Sequence, residues 1–234
     1  MAQDINVELL AHSISPETIV ASAAKLCYSN QADIKTLMEN LDEAKVNKFI
    51  EKLMSLKHYS AFEHASFTFG IEGVSRVVTH ELVRHRTGKY SQRSQRYCSE
   101  EGFNYRTPSS IKNNPEAVAL YTEHMKEVEE LYKKLQALGI PNEDARYVLP
   151  NATHTRIVVT FDLRNLWHFF NLRCCIRAQN EINELANKML EICKAKFPVL
   201  FQKAGAYCIE YGYCPEGDMC CGAYPTIEEL IKLQ

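Results

Sequence analysis

Four arginines, a lysine and a histidine fall within thirteen residues, Arg84-His85-Arg86-Thr87-Gly88-Lys89-Tyr90-Ser91-Gln92-Arg93-Ser94-Gln95-Arg96, with no carboxylate among them. Ionised groups buried without partners cost several kcal/mol each, so this segment must meet water, nucleic acid or a small polyanion. As solvated surface it lacks the interspersed acids that balance such a face. As a nucleic-acid contact it should be joined by further basic clusters or Gly-rich aromatic motifs, yet the chain turns acidic at Glu100-Glu101. As a phosphate site it fits well: arginine offers a planar fork of donors, and the Ser91 and Ser94 hydroxyls stand beside it. The small anion is the favoured reading; nucleic acid and plain surface stay open on composition alone.

Two other groups of residues look chemical. His80-Glu81-Leu82-Val83-Arg84-His85 resembles a zinc-protease helix, but its histidines are at i and i+5, roughly 140° apart at 3.6 residues per turn. That chemistry needs i and i+4, so zinc is rejected there. Cys208, Cys214, Cys220 and Cys221 crowd the C-terminal stretch 205–234. Neither pair has the short C-x2–4-C spacing of structural zinc sites. They are read as plain or redox-sensitive thiols, and no metal is expected.

The frame around these residues is ordinary. The 234 residues are 46% hydrophobic and 24% charged, with a net charge of −2, which argues against a general nucleic-acid coat. The basic segment is therefore a local exception, and local exceptions favour a site. Residues 1–15 carry acids early and no uninterrupted apolar core, so no secretory signal is expected. No run reaches the roughly 18 apolar residues of a membrane span. Nine cysteines, an odd count, are read as reduced thiols in a cytoplasmic protein.

The elements that must position the site follow from periodicity. Ser15-Pro16-Glu17 predicts a helix with Ser15 as cap, running to about Cys27. A second begins near Asp42, with Val46, Phe49, Ile50, Leu53 and Met54 on its apolar face. Phe67–Ile71 alternates as a strand, and Val74 to Arg86 returns to helical character. Asn114-Pro115 opens a helix with the stripe Val118, Tyr121, Met125, Val128, Tyr132 and Leu135, closed by Gly139 and Pro141. Thr153 to Phe161 alternates as a strand. A long helical stretch runs from Asp162 to about Phe197, with a break near Arg173. With no repeats or linkers, residues 1–234 are expected to form one α+β domain.

Arg84-His85-Arg86 with Ser94 and Arg96-Tyr97 resembles the signature R-H-R-x7-S-x-R-Y of flavin-dependent thymidylate synthases. His58, Phe62-Glu63-His64, Phe67 and Phe69 are similar to the family's H-x3-F-E-H-x2-F-x-F block. Ala145–Pro150 is similar to its A-R-x-V-L-P turn, and Leu163-Arg164 through Asn171-Leu172-Arg173 to its long helical block. The resemblance implies a central antiparallel sheet flanked by long helices, in a homotetramer with active sites shared between subunits. It implies conversion of dUMP to dTMP, with 5,10-methylenetetrahydrofolate as carbon donor, reduced FAD as hydride source and NADPH as reductant, and with neither nucleic acid nor membrane as partner. By the same resemblance FAD would be held by Ser60, Arg84, His85, Arg86, Gln92, Asp162, Arg164 and His168. dUMP would be held by Glu81, Arg84, Gln92, Arg93, Ser94, Gln95, Arg96, Arg146 and Arg173, with Arg173 catalytic. It implies no enzymic nucleophile, so none of the cysteines is assigned one. Lys89, Asp162 and Arg177 depart from the family pattern, which more often has serine, asparagine and histidine there.

Overall fold

The computed structural model describes residues 4–30, 33–39 and 42–233. Its elements begin with β1 (Asn6–His12), α1 (Pro16–Leu26), α2 (Ile34–Glu39), α3 (Glu43–Ser55), β2 (Ser66–Ser75), α4 (Arg76–Leu82) and β3 (Lys89–Gln92). There follow α5 (Ser109–Lys112), α6 (Pro115–Ala137), α7 (Asn142–Ala145), β4 (His154–Asp162), α8 (Leu163–Arg173), α9 (Asn180–Lys196), α10 (Pro198–Phe201), α11 (Tyr207–Tyr211) and α12 (Ile227–Lys232). Short 3-10 turns occupy Tyr59–His64, Arg146–Val148 and Gly217–Met219. The fold is α+β, around a four-stranded antiparallel sheet in the order β1-β2-β4-β3. No helix among the described residues is long and apolar enough to cross a membrane.

The chain clusters into two compact units. One comprises Met1–Val7, Gly70–Arg84 and Tyr90–Val159; the other comprises Glu8–Phe69, His85–Lys89 and Thr160–Gln234. The basic segment is thus divided, with His85 to Lys89 in the second unit and Arg84 and Tyr90 to Arg96 in the first.

In the first unit, Asn114 caps α6 by accepting from the Glu116 and Ala117 amides at 3.1 and 3.2 Å. The buried Met125, Val128 and Tyr132 continue its stripe. Met125 and Val128 pack with Phe103 against Tyr105, Tyr121 and Leu149. Gly139 follows the helix at φ 82°, a left-handed conformation that suits a residue without Cβ. The expected helix from Val74 to Arg86 is corrected at both ends. Val74 and Ser75 finish β2, Ser75 caps α4 by accepting from Val78 N at 3.3 Å, and the helix ends at Leu82. Residues 73–75 are all buried, so the period-two signal that marks a half-exposed strand is absent there. β3 was not legible either, because Lys89-Tyr90-Ser91-Gln92 has no apolar alternation; it pairs with β4 as an edge strand.

In the second unit, Asp42 caps α3 through the Lys45 amide at 2.8 Å, and of its expected apolar face Val46, Ile50, Leu53 and Met54 are buried while Phe49 is half-buried. α1 begins at Pro16, but Ser15 sits in the left-handed region and makes no side-chain cap. Its carbonyl instead accepts from Ile19 N at 3.1 Å. The predicted break after Arg173 is real: α8 ends there and α9 opens at Asn180. Interlocking rings fill this core, with Phe67 edge-on to Phe197 and Phe201 at 5.3 and 5.4 Å.

Candidate active site

The first unit holds the second half of the basic segment. β3 and the turn after it are tied to β4 by the Arg93 amide, which donates to the Arg156 carbonyl at 2.9 Å. The segment carries no acid of its own, and the fold brings acids to it. Arg93 pairs with Glu100 and donates to the Ser99 carbonyl. Arg96 pairs through Nε with Glu143 at 2.5 Å, while its guanidinium lies over the Tyr97 ring at 5.3 Å. Arg146 donates from Nε to the Glu143 carbonyl at 3.1 Å, so Glu143 gathers Arg96 and Arg146 together. Ser94 Oγ accepts from Arg96 N at 3.2 Å. Gln92 donates its amide to Thr79 and Thr155, both at 3.2 Å. Gln95 is buried, and its Nε2 has no hydrogen-bond partner among the described residues. Glu81 is half-buried on α4 and Arg84 is exposed after it. Burial, and then Arg146, holds the Arg76 guanidinium below its usual pKa, with Glu100 opposing.

The second unit holds the rest. His85 is buried among rings, with Phe169 at 5.0 Å, His168 at 6.2 Å and Phe161 at 6.5 Å. Burial, then Arg173 and His168, lowers its pKa from 6.5 to about 4, so the imidazole is neutral at pH 7. A neutral ring can accept, and Arg173 donates to His85 Nε2 from Nε at 3.1 Å. Arg173 also lines a cavity of about 290 Å³ with Arg177, Cys175, Cys208 and Cys214. Arg164 pairs with Glu63 at 2.5 Å, and His168 shares a hydrogen bond of 3.2 Å with the Tyr207 hydroxyl. Asp162 caps α8, accepting from Asn165 N at 2.9 Å and Nδ2 at 2.6 Å. Ser60 and Arg164 line a larger cavity of about 550 Å³ with Tyr28, His58, Tyr59 and His64. Arg86 and Lys89 are exposed. No carboxylate among the described residues pairs with Arg84, Arg86 or Lys89.

No three His, Cys, Asp or Glu side chains are grouped to hold an ion among the described residues. Burial pushes the Cys174 thiol up to about 12 and raises Cys208, which keeps both protonated near neutral pH. Arg177 is taken up by an ion pair with Glu216.

Glu63, Glu100 and Glu143, the partners of the site's arginines, were missed as site residues, as were Arg76 and Tyr207. Glu63 alone had a signal, its place inside the F-E-H block.

The chain is similar to known proteins over most of its length. The family model for thymidylate synthase complementing protein matches residues 8–199. A flavin-dependent thymidylate synthase of Geobacter sulfurreducens is 46% identical over 230 residues, covering 97% of this chain and 98% of the relative. Those of Clostridium tetani (44%, 97% and 96%) and Pyrococcus furiosus (41%, 92% and 91%) are similar over comparable spans. The crystal structure of a UMP/dUMP methylase from Streptomyces cacaoi, bound with 5-Br dUMP, superposes with a TM-score of 0.72 at 27% identity, over 86% of this chain and 94% of that one. The chain belongs to the flavin-dependent thymidylate synthase family.

Proposed function

We propose that the protein methylates dUMP to dTMP, using 5,10-methylenetetrahydrofolate as carbon donor and FAD re-reduced by NADPH, as a cytoplasmic homotetramer that shares active sites between subunits. The observation that carries this reading is near-complete coverage of a flavin-dependent thymidylate synthase at 46% identity, with Arg84-His85-Arg86, Ser94, Arg96-Tyr97 and Arg173 all in place. In the homotetramer we propose, the basic loops of one chain approach Arg146 and Arg173 of another.

The residues fit a flavin. A cavity of about 550 Å³ lies in the roughly 300–1,000 Å³ range of small-molecule sites. Ser60 and Arg164 line it with histidines and tyrosines, a donor set suited to a ring system bearing a diphosphate. We assign FAD to Ser60, Arg84, His85, Arg86, Arg164 and His168. The bound flavin supplies hydride. Gln92 is assigned to both FAD and dUMP. Asp162 is left to its helix cap. Ser94, Arg96 and Arg146 grip the dUMP phosphate, with Arg93, Gln95, Glu81 and Arg84 around the nucleotide.

Arg173 is the catalytic residue of this reading. Its charge stabilises the negative charge that develops on the uracil ring as N3 loses its proton and C5 becomes electron-rich, which is electrostatic catalysis. His85 orients it by accepting from Nε, and being neutral it takes nothing from the guanidinium's charge. The purified protein should be yellow, should lose its flavin absorbance on addition of NADPH, and should then form dTMP from dUMP and methylenetetrahydrofolate. A colourless protein that takes up no FAD overturns the reading.

A further inference from the structure

We infer that Tyr207 and Glu210, on α11 beyond the 8–199 span of the family match, are positioning residues for the flavin side of the site. The inference rests on the reading that Arg164 and His168 hold FAD. Those two residues are i and i+4 on α8, so they project from one face of the helix. α11 closes one flank of that face. The Tyr207 hydroxyl lies 3.2 Å from His168 Nδ1. Glu210 Oε1 accepts from the Tyr59 hydroxyl at 3.0 Å and Oε2 from Asn171 Nδ2 at 2.9 Å. Asn171 is buried and also donates to the Gly205 carbonyl at 3.0 Å, so a fixed donor aims the carboxylate. Tyr59, Arg164, Trp167, His168, Tyr207 and Glu210 together line a cavity of about 160 Å³.

The chemistry of this wall is directional. Burial, then Glu210, raises the pKa of the Tyr207 hydroxyl, so it stays protonated and has a proton to offer Nδ1. In the arrangement we propose, the hydroxyl donates to Nδ1 and Nε2 carries the ring proton as a donor towards a ligand oxygen. Glu210 adds one negative charge to the same wall. A negative charge near a flavin disfavours its electron-rich reduced form and lowers its reduction potential.

The test is a mutant cycle on the FAD-loaded enzyme. Tyr207→Phe should weaken FAD binding about fivefold, the scale of one hydrogen bond, with the melting temperature of the FAD-free protein unchanged. In a His168→Ala background the same change should cost nothing further. Glu210→Gln, which keeps an acceptor but removes the charge, should raise the flavin midpoint potential, and Glu210→Asp should restore it. Unchanged FAD affinity in Tyr207→Phe, or an equal loss with His168 absent, overturns the Tyr207 role. An unmoved potential in Glu210→Gln overturns the Glu210 role. Wild-type protein that binds no FAD overturns the flavin reading itself, a result separable from the others.

Discussion

In the first unit Arg93 and Arg96 are each held by a carboxylate from elsewhere in the chain, Glu100 and Glu143. In the second, Arg173 is held by a neutral imidazole inside a nest of aromatic rings. The carboxylate pairs offset the charge of their arginines. The pair at Arg96 is also half in water, where such bonds are weak and exchange readily. That suits the phosphate-binding role we propose for these cations. The histidine, being neutral, does not itself offset the charge of Arg173, which is half-buried. In the function we propose, the first unit's arginines grip an anion and Arg173 stabilises a charge that appears only during reaction.

Breaking the contrast at its strongest point should give the largest effect. Arg173→Ala should lower the rate of dTMP formation by at least about 10²–10³-fold, the scale of one preorganised electrostatic donor, while leaving much of the FAD bound. Near-normal turnover in that variant would remove Arg173 from its catalytic role. Next comes the buried acid. Glu100 is 8% exposed and Arg93 32% exposed, so Glu100→Ala should destabilise the fold by about 2–3 kcal/mol, somewhat less than breaking a fully buried pair. Urea unfolding reads this directly. The exposed pair should matter least to stability. Glu143→Gln should leave the urea midpoint nearly unchanged and raise KM for dUMP at most about fivefold, with kcat held. A large loss of stability there would erase the distinction between the two acids.

The histidine gives a pH signature. His85 has its folded pKa depressed to about 4, below the unfolded value of 6.5. The unfolded chain therefore takes up this proton first as the solution is acidified. Its contribution to stability is complete above pH 6.5 and is lost as pH falls from 6.5 towards 4. NMR titration should place the His85 midpoint near 4, and a midpoint near 6.5 would mean that the ring is not neutral by design.

The sequence disclosed the cations, the helices and the strands with clean periods, and even the break after Arg173. It did not disclose what holds the cations. Glu143 lies 47 positions beyond Arg96, in a short helix whose acids look like ordinary solvated surface. The neutrality of His85 depends on burial among Phe161 and Phe169 and on Arg173 and His168, which local spacing does not bring to it. β3 was hidden for another reason. Its four residues are polar on both faces, so pairing with β4 defines the strand and side-chain alternation does not. The same holds for Val74 and Ser75, where burial on both sides removes the period that marks a strand's end.

Tritium release from 5-tritiated dUMP tests the central claim most directly. With methylenetetrahydrofolate, FAD and NADPH present, the wild-type protein should release tritium to water as dTMP accumulates, and release should stop when FAD is removed. Release that continues undiminished without flavin, or none under any condition, would contradict the account.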